Sequence, residues 1–197
     1  MDLQQVLTDR PPPLTAEGKQ QAFIRAYDPC HERFIRYCTA LGYGKMDTED
    51  LVQDVLLSAY QQFEKIQQPQ QFLHYLIRAA RNRAVSRWRR KRYKPELLDR
   101  HQHRLQAQGV SPEQLLDVDL IYRALDRLPT QQREALLLFE VSGFSIQEIA
   151  ELQNRSVGAV KTTISRGRQK VRQRLTEQRP SSPQNLAIWA TAKLLLL

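Results

Sequence analysis

Residues 145–175 read SIQEIAELQNRSVGAVKTTISRGRQKVRQRL, and this stretch decides the fold. Ser145 and Glu148 form a capping box, in which hydroxyl and carboxylate satisfy orphan amides at a helix start. Ile146, Ile149, Ala150 and Leu152 give that helix one apolar face. Asn154 is a left-handed stop, because Asn tolerates positive φ better than most residues. Ser156 caps a second helix, whose Val157, Val160, Ile164, Val171 and Leu175 keep helical spacing while Gly167 fills the gap. Its other face carries Lys161, Thr162, Thr163, Arg166, Arg168 and Lys170. Between Arg155 and Arg174 there are seven Lys or Arg and no acid. The solvated face of an ordinary helical hairpin mixes both signs. A short capped helix, a four-residue turn and a longer basic helix make a helix-turn-helix, which predicts contact with DNA.

The remainder of the chain agrees in charge. Its 197 residues suffice for one ordinary domain or two small ones. A formal charge of +9 and a pI near 9.8 favour a polyanionic partner. Hydrophobic residues at 41% and charged ones at 26% exclude wholesale disorder. The segment from Arg78 to Lys94 holds nine of the 30 basic residues without one acid. Two separated basic surfaces predict two DNA contacts. Cys30 and Cys38, the only cysteines, lie eight apart on a predicted helix, off adjacent turns, and read as reduced cytosolic thiols. His101 and His103 lack metal-spaced partners and read as linker residues rather than zinc ligands. The amino terminus, MDLQQVLTDRPPP, lacks the basic flank and apolar core of a signal peptide. The apolar run 186–197 is shorter than the roughly 20 residues of a membrane span.

Helical periodicity dominates and no strand pattern stands out, so the predicted class is all-α. A first helix covers Ala16 to Leu41, with Pro29 bending or interrupting it and Gly42 and Gly44 ending it. Asp47 caps a second, reaching about Phe63, with Leu51, Val52, Val55, Leu56, Ala59, Tyr60 and Phe63 as a wide buried stripe. A third starts near Phe72 and repeats Leu76, Ala80, Ala84 and Trp88 every four residues. Periodicity fades from Tyr93 to about Asp117, which reads as a linker with at most a helical stretch. Beyond it one helix begins near Val118 and closes at Pro129; Thr130 caps the next, which stops at Gly143. The predicted division is therefore a first domain over 16–92, a linker over 93–117, a second domain over 118–176 ending in the helix-turn-helix, and a tail over 177–197.

Two features of the first domain exceed what a plain DNA-binding regulator needs. The helix after Asp47 carries Glu49, Asp50 and Asp54, with no basic residue before Lys65. Asp50, Gln53, Asp54 and Leu57 share the side away from the buried stripe. A negative face in a chain of charge +9 repels DNA and suits a basic protein surface. Acid enrichment at a helix start accounts for Asp47, Glu49 and Asp50 through the dipole alone, but less well for Gln53 and Asp54. The long helix FLHYLIRAARNRAVSRWRR, residues 72–90, pairs aromatics with arginines. Aromatic faces stack unpaired bases while Arg and Lys neutralise phosphates.

The segments DTEDLVQDVLLSAY (47–60), FLHYLIRAARNRAV (72–85) and LDRLPTQQREALLLFEVSGFSIQEIAELQNRSVGAVKTTISRGRQKVRQRL (125–175) resemble the sigma-70 family of bacterial RNA polymerase sigma factors. The match is to the small extracytoplasmic-function group, which keeps only the second and fourth conserved regions. Roughly Ala22 to Arg92 resembles the first of these and Val118 to Leu175 the other. The resemblance implies that Asp50, Gln53 and Asp54 dock on the clamp coiled coil of the polymerase's largest subunit, with the flap as a further polymerase contact. It implies that the loop from Ile66 to Gln71 and the helix after it, through Tyr75, Arg78, Arg81, Asn82 and Trp88, capture the non-template strand of the minus-ten element. Thr162, Thr163 and Arg166 would read the minus-thirty-five major groove, and Ser156, Lys161 and Arg168 would grip phosphates. An anti-sigma protein is a further possible partner.

Several residues depart from the family pattern. Tyr75 stands where Trp is frequent, Gln153 and Arg155 where apolar residues are usual, and Asn154 where Gly is usual. Thr163 occupies a position often basic, and the tail after Gln178 lies outside the shared pattern. The expected function is a cytoplasmic initiation factor that binds core polymerase and opens a bipartite promoter, without cofactor or ATP. No nucleophile–base pair, metal cluster or phosphate-cradling glycine loop suggests an enzyme. The rival is a stand-alone helix-turn-helix regulator that binds duplex DNA tightly by itself.

Overall fold

The computed structural model describes residues 16–66, 69–88, 95–107 and 109–178, and among them the protein is all-α. Its first helix is interrupted at Pro29: α1 (Ala16–Tyr27) ends in one tight turn, Asp28–Cys30, and α2 (His31–Gly42) resumes. Gly44, at φ 64°, then reverses the chain. Asp47 caps α3 (Thr48–Gln62) as expected, its carboxylate accepting from the amides of Glu49 and Asp50. Helix α4 (Pro69–Trp88) begins three residues earlier than its apolar repeat predicted. Phe34, Tyr37, Leu51, Val55, Phe72, Leu76 and Ile77 bury almost completely where α2, α3 and α4 meet. Phe23 of α1 sits edge-on to Tyr60, Phe63 and Phe72 with ring centroids 5.3–5.4 Å apart, a geometry aromatic quadrupoles favour.

Most of the predicted linker is helical. Helix α5 (Pro95–Ala107) lays Leu98, His101 and Leu105 against the rest of the molecule. His101 is a correction to its reading as a linker histidine. It is buried, with Nδ1 2.6 Å from the Leu97 carbonyl and Nε2 3.3 Å from the Thr48 hydroxyl, and its ring lies on Tyr43. Burial holds its pKa below the usual imidazole value. Helix α6 (Pro112–Asp126) starts six residues before Val118, because Ser111 and Gln114 close a capping box there.

Helix α7 (Thr130–Leu136) carries a second correction. Pro129, not Thr130, occupies the cap position, and no side chain caps it. The helix widens into one π turn over Leu137–Val141, and Gly143 at φ 70° ends it. The helix-turn-helix follows as read: α8 (Ile146–Gln153), Asn154 at φ 51°, and α9 (Val157–Gln178). Gly167 permits a close approach of α9 to α7, since a Cβ there would lie 2.9 Å from Leu136 Cδ1.

The two domains share one continuous core. Tyr43 stacks on Tyr122 at 4.1 Å between centroids. Arg33 of α2 lies 3.9 Å over the buried Phe144 ring and pairs with Glu148 at 2.9 Å, a cation–π contact worth about 0.5–2 kcal/mol. Lys45 pairs with Asp126, which also accepts from Arg133 at 3.2 Å. The tail beyond Gln178 and the basic residues 89–92 lie outside the described residues.

Candidate nucleic-acid interface

Helix α3 turns its apolar stripe inward, so helical spacing leaves Asp50, Gln53, Asp54 and Leu57 on the solvent side. All four are exposed, Leu57 to 61%. At the helix start, Arg100 and Arg104 of α5 pair with Asp47 at 3.3 Å and Glu49 at 2.7 Å. The negative face is thus paired at its start, while Asp50, Gln53 and Asp54 remain solvent-exposed.

Helix α4 lines a cleft of about 630 Å³ with Gln71, His74, Tyr75, Arg78, Asn82 and Arg83; Lys65 and Ile66 of the preceding turn complete it. Tyr75 is half-buried, its hydroxyl 3.2 Å from the Ser58 hydroxyl, which pins the ring to α3. Desolvation, with Arg78 nearby, keeps His74 below the usual imidazole pKa and hence neutral at pH 7. An aromatic ring, an amide and fixed cations around a cleft suit an unpaired base and its phosphate. Lys65, His74 and Arg83 were missed as lining residues. His74 and Arg83 lie within the basic helix already singled out, and Lys65 immediately precedes the loop that begins at Ile66.

Two of the expected minus-ten residues are engaged by the second domain. Arg78 Nη2 donates to the Leu152 carbonyl at 3.2 Å. Arg81 Nη1 donates to both oxygens of Glu134 at 3.1 and 3.3 Å. Burial raises the Glu134 carboxyl above its ordinary pKa, against the lowering influence of Arg81. Asn82 is exposed, and the Trp88 side chain lies outside the described residues. Nothing in the sequence announced Glu134, whose partner is 53 positions away.

On α9, Lys161, Thr162 and Arg166 are exposed on one side, joined by Ser165 and Gln169. Ser156 caps the helix by accepting from the Ala159 amide at 3.2 Å. Thr163 is a correction. It is only 8% exposed, its hydroxyl donates to the Ala159 carbonyl at 2.8 Å, and the same hydroxyl oxygen accepts from Arg155 Nη1 at 3.1 Å. It faces the turn and is in no position to read bases. Arg168, expected to grip a phosphate, pairs with the buried Glu140 and lies over Phe139 while its side chain remains 42% exposed. Among the described residues no helix is long and apolar enough to cross a membrane.

Comparison with known proteins gives these surfaces a context. The family model described as Sigma-70 region 2 matches residues 20–93, and that described as Sigma-70, region 4 matches residues 119–171. The ECF RNA polymerase sigma factor SigW of Bacillus subtilis is 29% identical over 175 residues, covering 82% of this chain and 92% of SigW. EcfG of Rhodopseudomonas palustris is 32% identical, covering 62% of this chain and 68% of EcfG. The probable sigma factor RfaY of Xanthomonas campestris is 32% identical over 84% of this chain, which spans only 43% of RfaY. Among solved structures, CnrH in complex with the cytosolic domain of CnrY superposes with a TM-score of 0.60 at 25% identity, over 83% of this chain and 92% of CnrH. The sigma factor RpoE of Bartonella quintana, solved with the anti-sigma factor NepR, shares the fold with a TM-score of 0.55 at 24% identity, over 81% and 98% of the two chains.

Proposed function

The chain belongs to the sigma-70 family of RNA polymerase sigma factors, in its extracytoplasmic-function group, and from that premise we propose how its surfaces direct promoter-specific initiation. One observation carries the assignment of surfaces: a single chain presents an open acidic face on α3 and basic faces on α4 and α9. The acidic face addresses polymerase through Asp50, Gln53, Asp54 and the exposed Leu57. Unlike charges speed such docking and fix its register. Helix α9 enters the minus-thirty-five major groove with Thr162 and Arg166 toward base edges and Lys161 toward phosphate.

The α4 cleft takes an unpaired base of the minus-ten strand. Tyr75 offers a ring face fixed by Ser58, while Arg78, Arg81 and Asn82 hold backbone and base edges. Capturing such bases draws the duplex open, so the factor works by binding energy in the cytoplasm and catalyses no bond change. The fold is shared with RpoE, solved with the anti-sigma factor NepR, and an anti-sigma protein is proposed as a partner of this chain too.

Run-off transcription tests the assignment. Sigma-free core polymerase plus this chain is expected to initiate at discrete sites on a genomic promoter library. Random or absent initiation, together with tight duplex binding by the isolated chain, would favour a stand-alone regulator.

A further inference from the structure

We propose that Arg155, in the turn of the helix-turn-helix, clasps a phosphate at the edge of the groove that α9 enters, and that Thr163 positions its guanidinium for that contact. The backbone at Arg155 is fixed first. Its amide donates to the Ala150 carbonyl at 2.9 Å across the left-handed Asn154. That is the six-to-one bond of a Schellman ending, and the residue making it frequently packs an apolar side chain back on the helix. An arginine stands there instead. It is half-buried, and its Nη1 donates to the Thr163 hydroxyl at 3.1 Å, so the side chain runs forward along α9 to its second turn.

Stability does not account for this cation. It precedes the positive end of a 22-residue helix whose first turn holds no acid, where a positive charge is unfavourable. Other arginines of the second domain are paired internally: Arg168 with Glu140, Arg133 with Asp126 and Arg123 with Asp119. Among the described residues Arg155 has no carboxylate partner, and the hydroxyl that holds it is uncharged. Thr163 donates its own proton to the Ala159 carbonyl, which leaves its oxygen to accept from the guanidinium and fixes one orientation. Thr163 lies beside Arg166 on the helix surface, three positions before it, and both Thr162 and Arg166 are exposed. A duplex seated on that exposed stripe therefore meets the Arg155 guanidinium at its margin. A planar cation held in place without an internal anion matches a phosphate. The contact rests on the groove assignment of α9 above and needs no polymerase.

The test is fluorescence anisotropy of the full chain on a random-sequence duplex across a salt series, with a melting curve for each variant. Arg155→Gln is expected to flatten log K against log salt by about 0.9, the share of one phosphate on duplex DNA. Referred to about 1 M salt, that slope is a roughly eightfold loss of affinity at about 0.1 M. Arg155→Lys keeps the charge and should keep the slope. Thr163→Val removes the positioning hydroxyl; it should weaken binding by less than Arg155→Gln, with the slope unchanged, and Thr163→Ser should bind as the unaltered protein does. Should Arg155→Gln fail to melt cooperatively, Arg155→Met decides instead, since that position suits an apolar side chain. A slope unchanged on loss of the charge marks a structural role for Arg155 and overturns the phosphate contact. Full affinity in Thr163→Val overturns the positioning role. Arg166→Ala in the same assay separates the failures. If it weakens binding while Arg155→Gln does not, the proposal alone fails; if neither matters, the groove assignment of α9 falls with it.

Discussion

Helices α3 and α4 pack side by side in the first domain and meet opposite fates on their outer faces. The outer face of α3 is acidic and open. The outer face of α4 is basic, and two of its arginines are already bonded to the second domain. The surface proposed for a protein partner is exposed, while two arginines of the one proposed for a polyanion are bonded to internal oxygens. The difference teaches that charge alone does not reveal availability. A basic face in a basic chain repels nothing within its own polypeptide that carries a carboxylate.

The contrast can be broken most severely from the covered side. Phe144→Ala removes a 2%-exposed ring on which Arg33 rests. A loss of about 3–5 kcal/mol is expected, read by denaturant unfolding. On the open side, Asp54→Arg with Gln53→Ala should cost about 2–5 kcal/mol of polymerase affinity and almost nothing in stability. Copurification with core polymerase, paired with a melting curve, separates the two; unchanged copurification would remove Asp54 and Gln53 from the docking face. Arg166→Ala should weaken duplex recognition by about 1–3 kcal/mol, as for loss of a base contact, measured by mobility shift with holoenzyme. Thr163→Ser keeps the buried hydroxyl and should leave sequence preference unchanged in the same assay.

The smallest expected effect is a pH dependence. Burial opposes ionisation of Glu148, but hydrogen bonds from Arg33 and Ser145 outweigh it and carry the carboxyl from 4.5 to about 2. A carboxyl depressed on folding stabilises fully above its unfolded value and loses that contribution as pH falls through the folded one. The melting difference between the unaltered protein and Glu148→Gln should therefore be constant above about pH 5 and shrink as pH falls toward 2. A difference unchanged at low pH would show that Arg33 does not lean on this carboxylate.

What was legible in the sequence is what is local. The Ser145–Glu148 box, the left-handed Asn154, the Ser156 cap and the exposed acids of α3 depend on neighbours within one or two turns. Helix α5 escaped because its inward stripe is narrow and includes a histidine, His101, where an apolar residue marks most helices. The early start of α6 had a readable signal in Ser111 and Gln114, hidden by the search for apolar periodicity. Thr163 was misplaced because residues flanking the exposed stripe of a helix look alike on paper. Its inward turn depends on Arg155 and the Ala159 carbonyl. Glu134 and Leu152 were invisible because their arginines lie 53 and 74 positions away, and no local pattern encodes such pairs.

Energy transfer between the domains tests the contrast most directly. Cys30 and Cys38 are buried, so dyes attached through Gln20→Cys and Gln173→Cys, both exposed positions, report domain separation. Core polymerase added without DNA is expected to abolish the transfer, whereas single-stranded DNA added without polymerase should leave most of it intact. High transfer persisting in the polymerase complex would contradict the account, since the arginines of α4 would then still be held when the template arrives.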